Sequence, residues 1–487
     1  MTLVYGFLAI GALTTLYPFL VMVTSGFKGP TDQNDGRLVP LFWVDPGELL
    51  GKYIDDKYAG DVSLIASTRI GGLPGKDVLF QYEKFLMGLG PTDWTAGFRT
   101  PANGVTSRLS QAYQAWLRTK FGDIDAVNAR YTELNRSFSQ LEPPSEGFDR
   151  LGWKPAYGPK WNDWLEFKQT LSAEYRIPVR EERAFQVWLR GRFKNRLADV
   201  PEEVRATATS FDTLRLVPGP LLDEFRRGRH GPSVEARWAA HHSGPLPIAA
   251  FEKQWVDGHA GQIRAEMSGR NYGYVLANVL LDGRTVLNTA LFCLLAVLTQ
   301  LVVNPLAAYA LSRVPMRAGA KVLLFLLATM AFPAEVAMIP SFLLLRDLGL
   351  LNTLAALVLP TAASGYTIFL LKGFFDSLPA EVFDSGEVDG APEWVMMLRL
   401  ALPLAKPVLG YIALLAFMGA YGAFLFAFLV CQDSKTWTLM VHVYQLQLTA
   451  PKAVTMAAVT LAAVPSLIVF LLAQRVIMRG IVLPGER

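Results

Sequence analysis

Between residues 28 and 283 there is no cysteine, and the 487-residue chain has only two, Cys293 and Cys431. This excludes a disulfide framework for that stretch, and the position of the pair gives no argument for a bond between them. Charge is missing from residues 1–27 altogether. The net charge of +4 is too weak a field for a nucleic-acid binder that works by bulk charge, so no nucleic acid is expected as a partner. No HExxH, nucleophile elbow or kinase set occurs. Gly75-Lys76 comes nearest to a phosphate loop, but Ile70 stands where its first glycine belongs and Asp77 where Ser or Thr belongs. Histidines number five, and His230, His241 and His242 lack the cysteines or spaced acids of a metal site. Neither a metal nor a cofactor is expected on this chain.

What is present falls into two materials. Residues 284–487 hold 13 Lys/Arg and 10 Asp/Glu, whereas 28–283 hold 33 and 32. A polar block is spliced into an apolar chain. Stretches of about 20 apolar residues, long enough to cross a bilayer, occur at 3–25, 285–309, 321–345, 352–371, 407–430 and 454–474. The first reads as a retained helix or a signal peptide; it has no basic flank before it and no clear small-residue cleavage site. Arg313, Arg317 and Lys321, with Arg475, Arg479 and Arg487, put two segments on the cytoplasmic side if six helices alternate. The loop at 373–406 then lies inside and the polar block outside. Pro18, Pro305, Pro333, Pro340, Pro360 and Pro465 fall within the spans, as helix breaks or packing kinks. Glu335 is the ionisable group inside a span. It reads either as a charge at the start of a half-helix after Pro333 or as a substrate contact.

The inside loop is acidic. Asp376, Glu381, Asp384, Glu387, Asp389 and Glu393 occur between Phe374 and Leu398 with no base among them. Ser377 is a candidate N-cap, with Pro379 and Glu381 in the first turn. Gly390 ends the helix after about 11 residues and Pro392 opens the next. Ser385 and Gly386 leave a small-residue notch. The loop is either a solvated acidic turn or a handle for a soluble partner.

Asp384-Ser385-Gly386, Glu387, Asp389, Gly390, Leu400, Leu402 and Pro403 together resemble the EAA loop of ABC-importer permeases, whose pattern is EAA-x3-G-x9-I-x-LP. Glu387-Val388-Asp389-Gly390-Ala391 is similar to the carbohydrate-uptake (maltose-type, MalG-like) subfamily. So are Phe332-Pro333-Ala334-Glu335 to Pro340, Leu348 to Thr353, Gln474-Arg475 to Gly480, and Pro18 with Ser25 to Lys28. The resemblance covers about 230 residues on both sides of the polar block. It departs at Asp384-Ser385-Gly386, which replaces EAA, and at Gly422 and Ala427, where the family has Asn and Pro. The resemblance implies an all-α polytopic membrane protein, a six-helix type I (MetI-like) bundle with a mainly helical soluble insert. The divisions are 1–27, a first transmembrane helix; 28–283, an extracytoplasmic insert; and 284–487, the permease core. It further implies an ATPase-coupling loop carried by Glu381, Asp384, Ser385, Gly386, Glu387, Asp389, Gly390, Leu400 and Pro403. Glu335, Tyr421 and Phe424 become candidates for a pathway or a helix break. The implied partners are a second permease subunit, an ABC ATPase dimer that holds ATP and Mg, an extracytoplasmic solute-binding protein and membrane lipid. The implied site is the inner membrane and the implied cargo a sugar, oligosaccharide or polyol. The chain itself would not be an enzyme.

The polar block contains a repeat. Ala112 to Phe121 recurs as Ala184 to Phe193, and each copy is followed by Ser-Phe, at 137–138 and 210–211. Tyr82 to Phe85 and Glu166 to Lys168 precede the two copies, and a partial third copy starts at Phe251. The Trp-Leu spacing is helical, so the aromatic residues are read as core or as sugar platforms. The rival functions are a secondary transporter or channel, which needs no coupling helix, and a membrane-anchored receptor or hydrolase, for which no catalytic constellation is present.

Overall fold

The computed structural model describes residues 2–59, 74–99, 105–135, 137–229, 231–281, 284–329 and 333–480. The chain divides into two compact units. One is Met1–Gly26 with Asn271–Arg487, and the other is Phe27–Arg270.

Among the described residues of the first unit, three helices are single and long enough to span: Val4–Ser25, Thr285–Arg313 and Lys452–Gln474. The other three expected spans are broken. Residues 321–345 fall on two helices, Gly319–Thr329 and Ala334–Asp347. Pro333 stands at the start of the second in an extended conformation, since proline has no N–H for the helical ladder. Leu354–Thr361 and Gly365–Asp376 meet at 46°. The expected 407–430 span stops at Tyr421 and resumes at Leu425–Val430. A run of apolar residues fixes how far the chain travels in lipid, but the breaks depend on local backbone chemistry. Thr285–Arg313 packs against both Gly365–Asp376 and Lys406–Tyr421. The latter meets Lys452–Gly480, which also carries Thr2–Ser25. Buried Ala308, Ala416, Ala457, Ala458 and Ala462 supply the small side chains that let apolar helices approach closely. At the end of the first helix, a side chain on Gly26 would meet the Tyr272 hydroxyl at 2.6 Å. Asn271 Nδ2 donates to the Gly26 carbonyl at 2.8 Å, so the two chain ends of this unit are tied together.

Among its described residues the second unit is mainly helical, with one antiparallel ribbon pairing Trp94–Ala96 with Arg176–Pro178. The sequence repeat is a repeat of structure. Helix Arg108–Phe121 is followed by a 3-10 turn at Phe138–Gln140, and helix Glu181–Arg192 by one at Phe211–Thr213. Gln114 Nε2 donates to the Leu141 carbonyl at 3.0 Å and Gln186 Nε2 to that of Leu214 at 2.8 Å. Arg118 lies 5.2 Å from the Phe138 ring, and Arg190 5.7 Å from that of Phe211. Tyr113 meets Trp164 edge-on at 5.4 Å, as Phe185 meets Phe225 at 5.3 Å. These aromatics are spent on packing, which answers the core-or-platform question for the repeated units. Both halves join across the ribbon. Lys168 Nζ, fully buried, donates to the carbonyls of Pro91 at 2.5 Å and Trp94 at 2.6 Å, and pairs with Glu146 at 2.7 Å. The third, partial copy is a single helix, Ile248–Val275, interrupted at His259.

Candidate functional site

The acidic loop folds as a helix, a tight turn and a return. Ala380–Val388 forms the helix. Its start differs from the expectation. Ser377 closes the preceding helix instead, its hydroxyl donating to the Phe374 carbonyl at 2.7 Å, and Pro379 takes the N-cap position. The helix is therefore 9 residues long. Gly390 ends it at φ 71°, in the left-handed region that favours glycine. Gly390 N–H bonds the Glu387 carbonyl at 3.0 Å and Ala391 N–H that of Gly386 at 2.9 Å, the paired bonds of a Schellman cap. Pro392 then precedes the next short helix, Glu393–Met396.

The helix is two-faced. Phe383 and Gly386 are buried, while Glu381, Asp384, Ser385, Glu387, Val388 and Asp389 are exposed. The notch at Gly386 does not open to a partner, as the sequence suggested. A side chain there would meet Met396 Sδ at 3.1 Å and Leu400 Cδ1 at 3.4 Å. The glycine is small because the loop's own return segment closes on it, which is also where Leu400 sits. Pro403 is exposed, one turn beyond. Val388 is 88% and Trp394 66% exposed. Two large apolar side chains are thus exposed on the loop, close in sequence to its acids. Sequence reasoning passed over both.

Thr285–Arg313 holds this loop. Arg313 Nη2 donates to the carbonyls of Phe375 at 2.8 Å and Leu378 at 3.3 Å. Its guanidinium lies 3.8 Å from the centre of the Phe383 ring. Tyr309 Oη donates to Glu393 at 2.7 Å and Ser312 Oγ to Asp376 at 2.6 Å. Two of the six acids are therefore engaged internally, and Glu381, Asp384, Glu387 and Asp389 form the outward set. Arg313 had counted only as an orientation charge; its chemistry at the loop becomes visible when residues 62 to 70 positions apart in sequence are brought together.

The remaining candidates are separate. Glu335 lies in the first turn of Ala334–Asp347, exposed, where a helix dipole favours an acid. Tyr421 is buried, and its hydroxyl donates to the Ala462 carbonyl, so it ties two helices together. Phe424 sits in the break between Tyr421 and Leu425, its ring 4.9 Å from Tyr444 and 5.8 Å from Phe428. Asn304, which the sequence did not single out, is fully buried and accepts from Ser364 N–H at 2.9 Å, capping the Gly365–Asp376 helix from its neighbour.

Apolar helices of spanning length, broken spans and a two-faced acidic loop make up the architecture of an all-α polytopic membrane protein. Residues 304–482 match the family described as binding-protein-dependent transport system inner membrane component. The chain is 30% identical to the lactose transport system permease protein LacG of Rhizobium radiobacter over 195 residues, 40% of this chain and 71% of that one. It is 30% identical to the diacetylchitobiose uptake system permease protein NgcG of Streptomyces coelicolor, over 40% of this chain and 66% of the relative. Among solved structures, a bacterial ABC transporter involved in the import of the acidic polysaccharide alginate is 27% identical, with 42% of this chain and 78% of that one covered and a TM-score of 0.38. This chain belongs to the binding-protein-dependent transport permease family. It spans between 55% and 79% of the length of the first relatives it matches.

Proposed function

We propose that the chain is one permease half of an ATP-driven ABC importer, with a sugar, oligosaccharide or polyol as cargo, and that the 373–406 loop couples it to a separate ATPase. The observation that carries this reading is the Ala380–Val388 helix. It presents four unengaged acids and Val388 outward while Arg313 clamps its inner face to a spanning helix. A partner cleft that moves this helix moves Thr285–Arg313 with it. ATP and Mg would be held, and ATP hydrolysed, by that partner dimer. A second permease subunit would complete the path. Lipid surrounds the apolar faces, and a solute-binding protein meets the complex on the side of the polar unit. Lysine and arginine placement supports the loop inside and the polar unit outside, in the inner membrane for a Gram-negative cell. The names of the relatives, lactose and diacetylchitobiose permeases, support the cargo class.

The test is to reconstitute the complex and exchange Val388→Asp together with Trp394→Ala. Both side chains are exposed, so membrane insertion stays normal. Loss of an apolar anchor at the centre of a contact lowers affinity by at least about tenfold. Uptake and ATPase copurification are expected to fall together. Unchanged uptake would remove the loop as the docking element.

A further inference from the structure

A cavity of about 140 Å³ opens in the polar unit, between one face of the Ile248–Val275 helix and the segments carrying Arg108 and Glu174. Trp255, His259, Gln262 and Glu266 line it from the helix. Their steps of four, three and four residues put them on one face. His259 is where the helix departs from helical geometry (φ −119°, ψ 17°). Its ring lies on that of Trp255, centroids 4.2 Å apart and 23° from parallel. His259 Nδ1 bonds the Trp255 carbonyl at 2.9 Å. A carbonyl only accepts, so Nδ1 carries the proton and, in the neutral ring, Nε2 is left as an acceptor.

The opposite wall is equally set. Arg108 Nη1 donates to Glu174 Oε1 at 2.7 Å. The Arg108 guanidinium is fixed 4.6 Å from the Phe98 ring and 5.4 Å from that of Tyr175. Glu174 is 8% exposed, and its Oε2 has no partner among the described residues. Glu266 is tied to Arg270 at 3.0 and 2.8 Å. Arg270 Nη2 also donates to the buried Asp56 at 2.8 Å, so the charges around the cavity are mixed in sign, Arg108 beside Glu174 and Arg270 shared by Glu266 and Asp56.

This arrangement selects a ligand by exclusion. A free anion meets the carboxylates of Glu174 and Glu266 and a free cation meets the Arg108 guanidinium, so neither finds a lining of the opposite sign alone. A hydrocarbon would strand the Glu174 and His259 acceptors, at the cost of unmade hydrogen bonds. A neutral polyhydroxylated ring fits. Its hydroxyls donate to Glu174 Oε2 and His259 Nε2 and accept from Arg108 and the Gln262 amide, while its C–H face lies on the Trp255–His259 wall. A cavity of about 150 Å³ holds a benzene ring, so an open one of about 140 Å³ takes the ring of a single sugar unit with its substituents reaching towards the mouth. We propose that this cavity is a carbohydrate subsite for a single neutral pyranose unit. The inference deepens the transport reading by giving the polar unit a role with the cargo class, yet its test requires no transport.

The test uses the full-length chain in lipid nanodiscs, without partner subunits, and saturation-transfer NMR. Methyl β-D-glucopyranoside, N-acetylglucosamine and maltose are the probes, with inorganic phosphate and succinate as ionic controls. The pyranosides are expected to bind and the ions not to. Gln262 is exposed and bonded to nothing described, so Gln262→Ala leaves the fold intact. It and Glu174→Gln should each weaken binding roughly fivefold. Trp255→Ala should weaken it further, and Trp255→Tyr should keep it. Maltose binding as tightly as the monosaccharides identifies the end unit of a longer saccharide as the source; weaker maltose binding identifies the free sugar. The proposal is overturned if no pyranoside binds, if binding is the same in all the weakening variants, or if phosphate or succinate binds in preference. Those failures leave the loop reading untouched, because no ATPase is present.

Discussion

Gly386 and Gly390 lie four residues apart in one helix-and-turn, and they are glycines for different reasons. Gly390 has open space where a side chain would go but a φ of 71°. Gly386 has an ordinary backbone but Met396 Sδ only 3.1 Å from its missing Cβ. The first is a conformational constraint and the second a packing one. Asparagine visits the left-handed region readily and β-branched residues do not. Gly390→Asn should therefore keep most uptake, while Gly390→Val should cost roughly tenfold at unchanged membrane levels, because the Schellman cap is lost. Equal activity of the two variants would mean that the cap does not matter. Sequence spacing found both glycines. It placed Gly390 at the helix end and read Gly386 as a notch with no named occupant, since a notch looks the same whichever neighbour fills it.

At the scale of elements, the spans were legible because hydrophobic runs of bilayer length have few other uses. Their breaks were less so. Pro333 was visible as a break, but the interruption between Tyr421 and Leu425 sits in an apolar run that offered Gly422 alone as a signal. The loop helix was legible from its glycine, prolines and acids. Its attachment was not, because Arg313 reaches Phe375, Leu378 and Phe383 across the fold. That attachment predicts uncoupling. Arg313→Ala should leave the loop helix present but loosely held, so ATPase activity persists while uptake falls by roughly tenfold. Arg313→Lys should recover only part, since an ammonium lacks the planar fork that bonds two carbonyls and stacks on a ring. Measuring hydrolysis and uptake on the same proteoliposomes checks this. A proportional loss of both would point to plain misfolding.

The whole molecule joins a permease-family bundle to a polar unit, and the duplication inside that unit was readable from two ten-residue segments. Their aromatic residues read as core or as sugar platforms, and Tyr113, Trp116, Phe185 and Trp188 are engaged in packing. A docking surface for a solute-binding protein must draw on side chains such as Phe80 and Tyr157, 57% and 80% exposed. The core also dictates how to test the unit. Tyr53, Tyr113 and Phe251 share one hydrophobic cluster, so excising the middle would unfold the remainder. The whole of Phe27–Arg270 can be removed cleanly, because Gly26 and Asn271 are hydrogen-bonded to each other at 2.8 Å. A flexible linker of about six residues spans such a gap without strain. The shortened chain should insert and support basal ATP hydrolysis, while uptake at limiting substrate drops roughly tenfold and the solute-binding protein binds more weakly. Phe80→Ser with Tyr157→Ser in the full chain should reproduce part of that loss. If the linker variant takes up substrate and binds its solute-binding protein as the full chain does, the polar unit has no part in delivery.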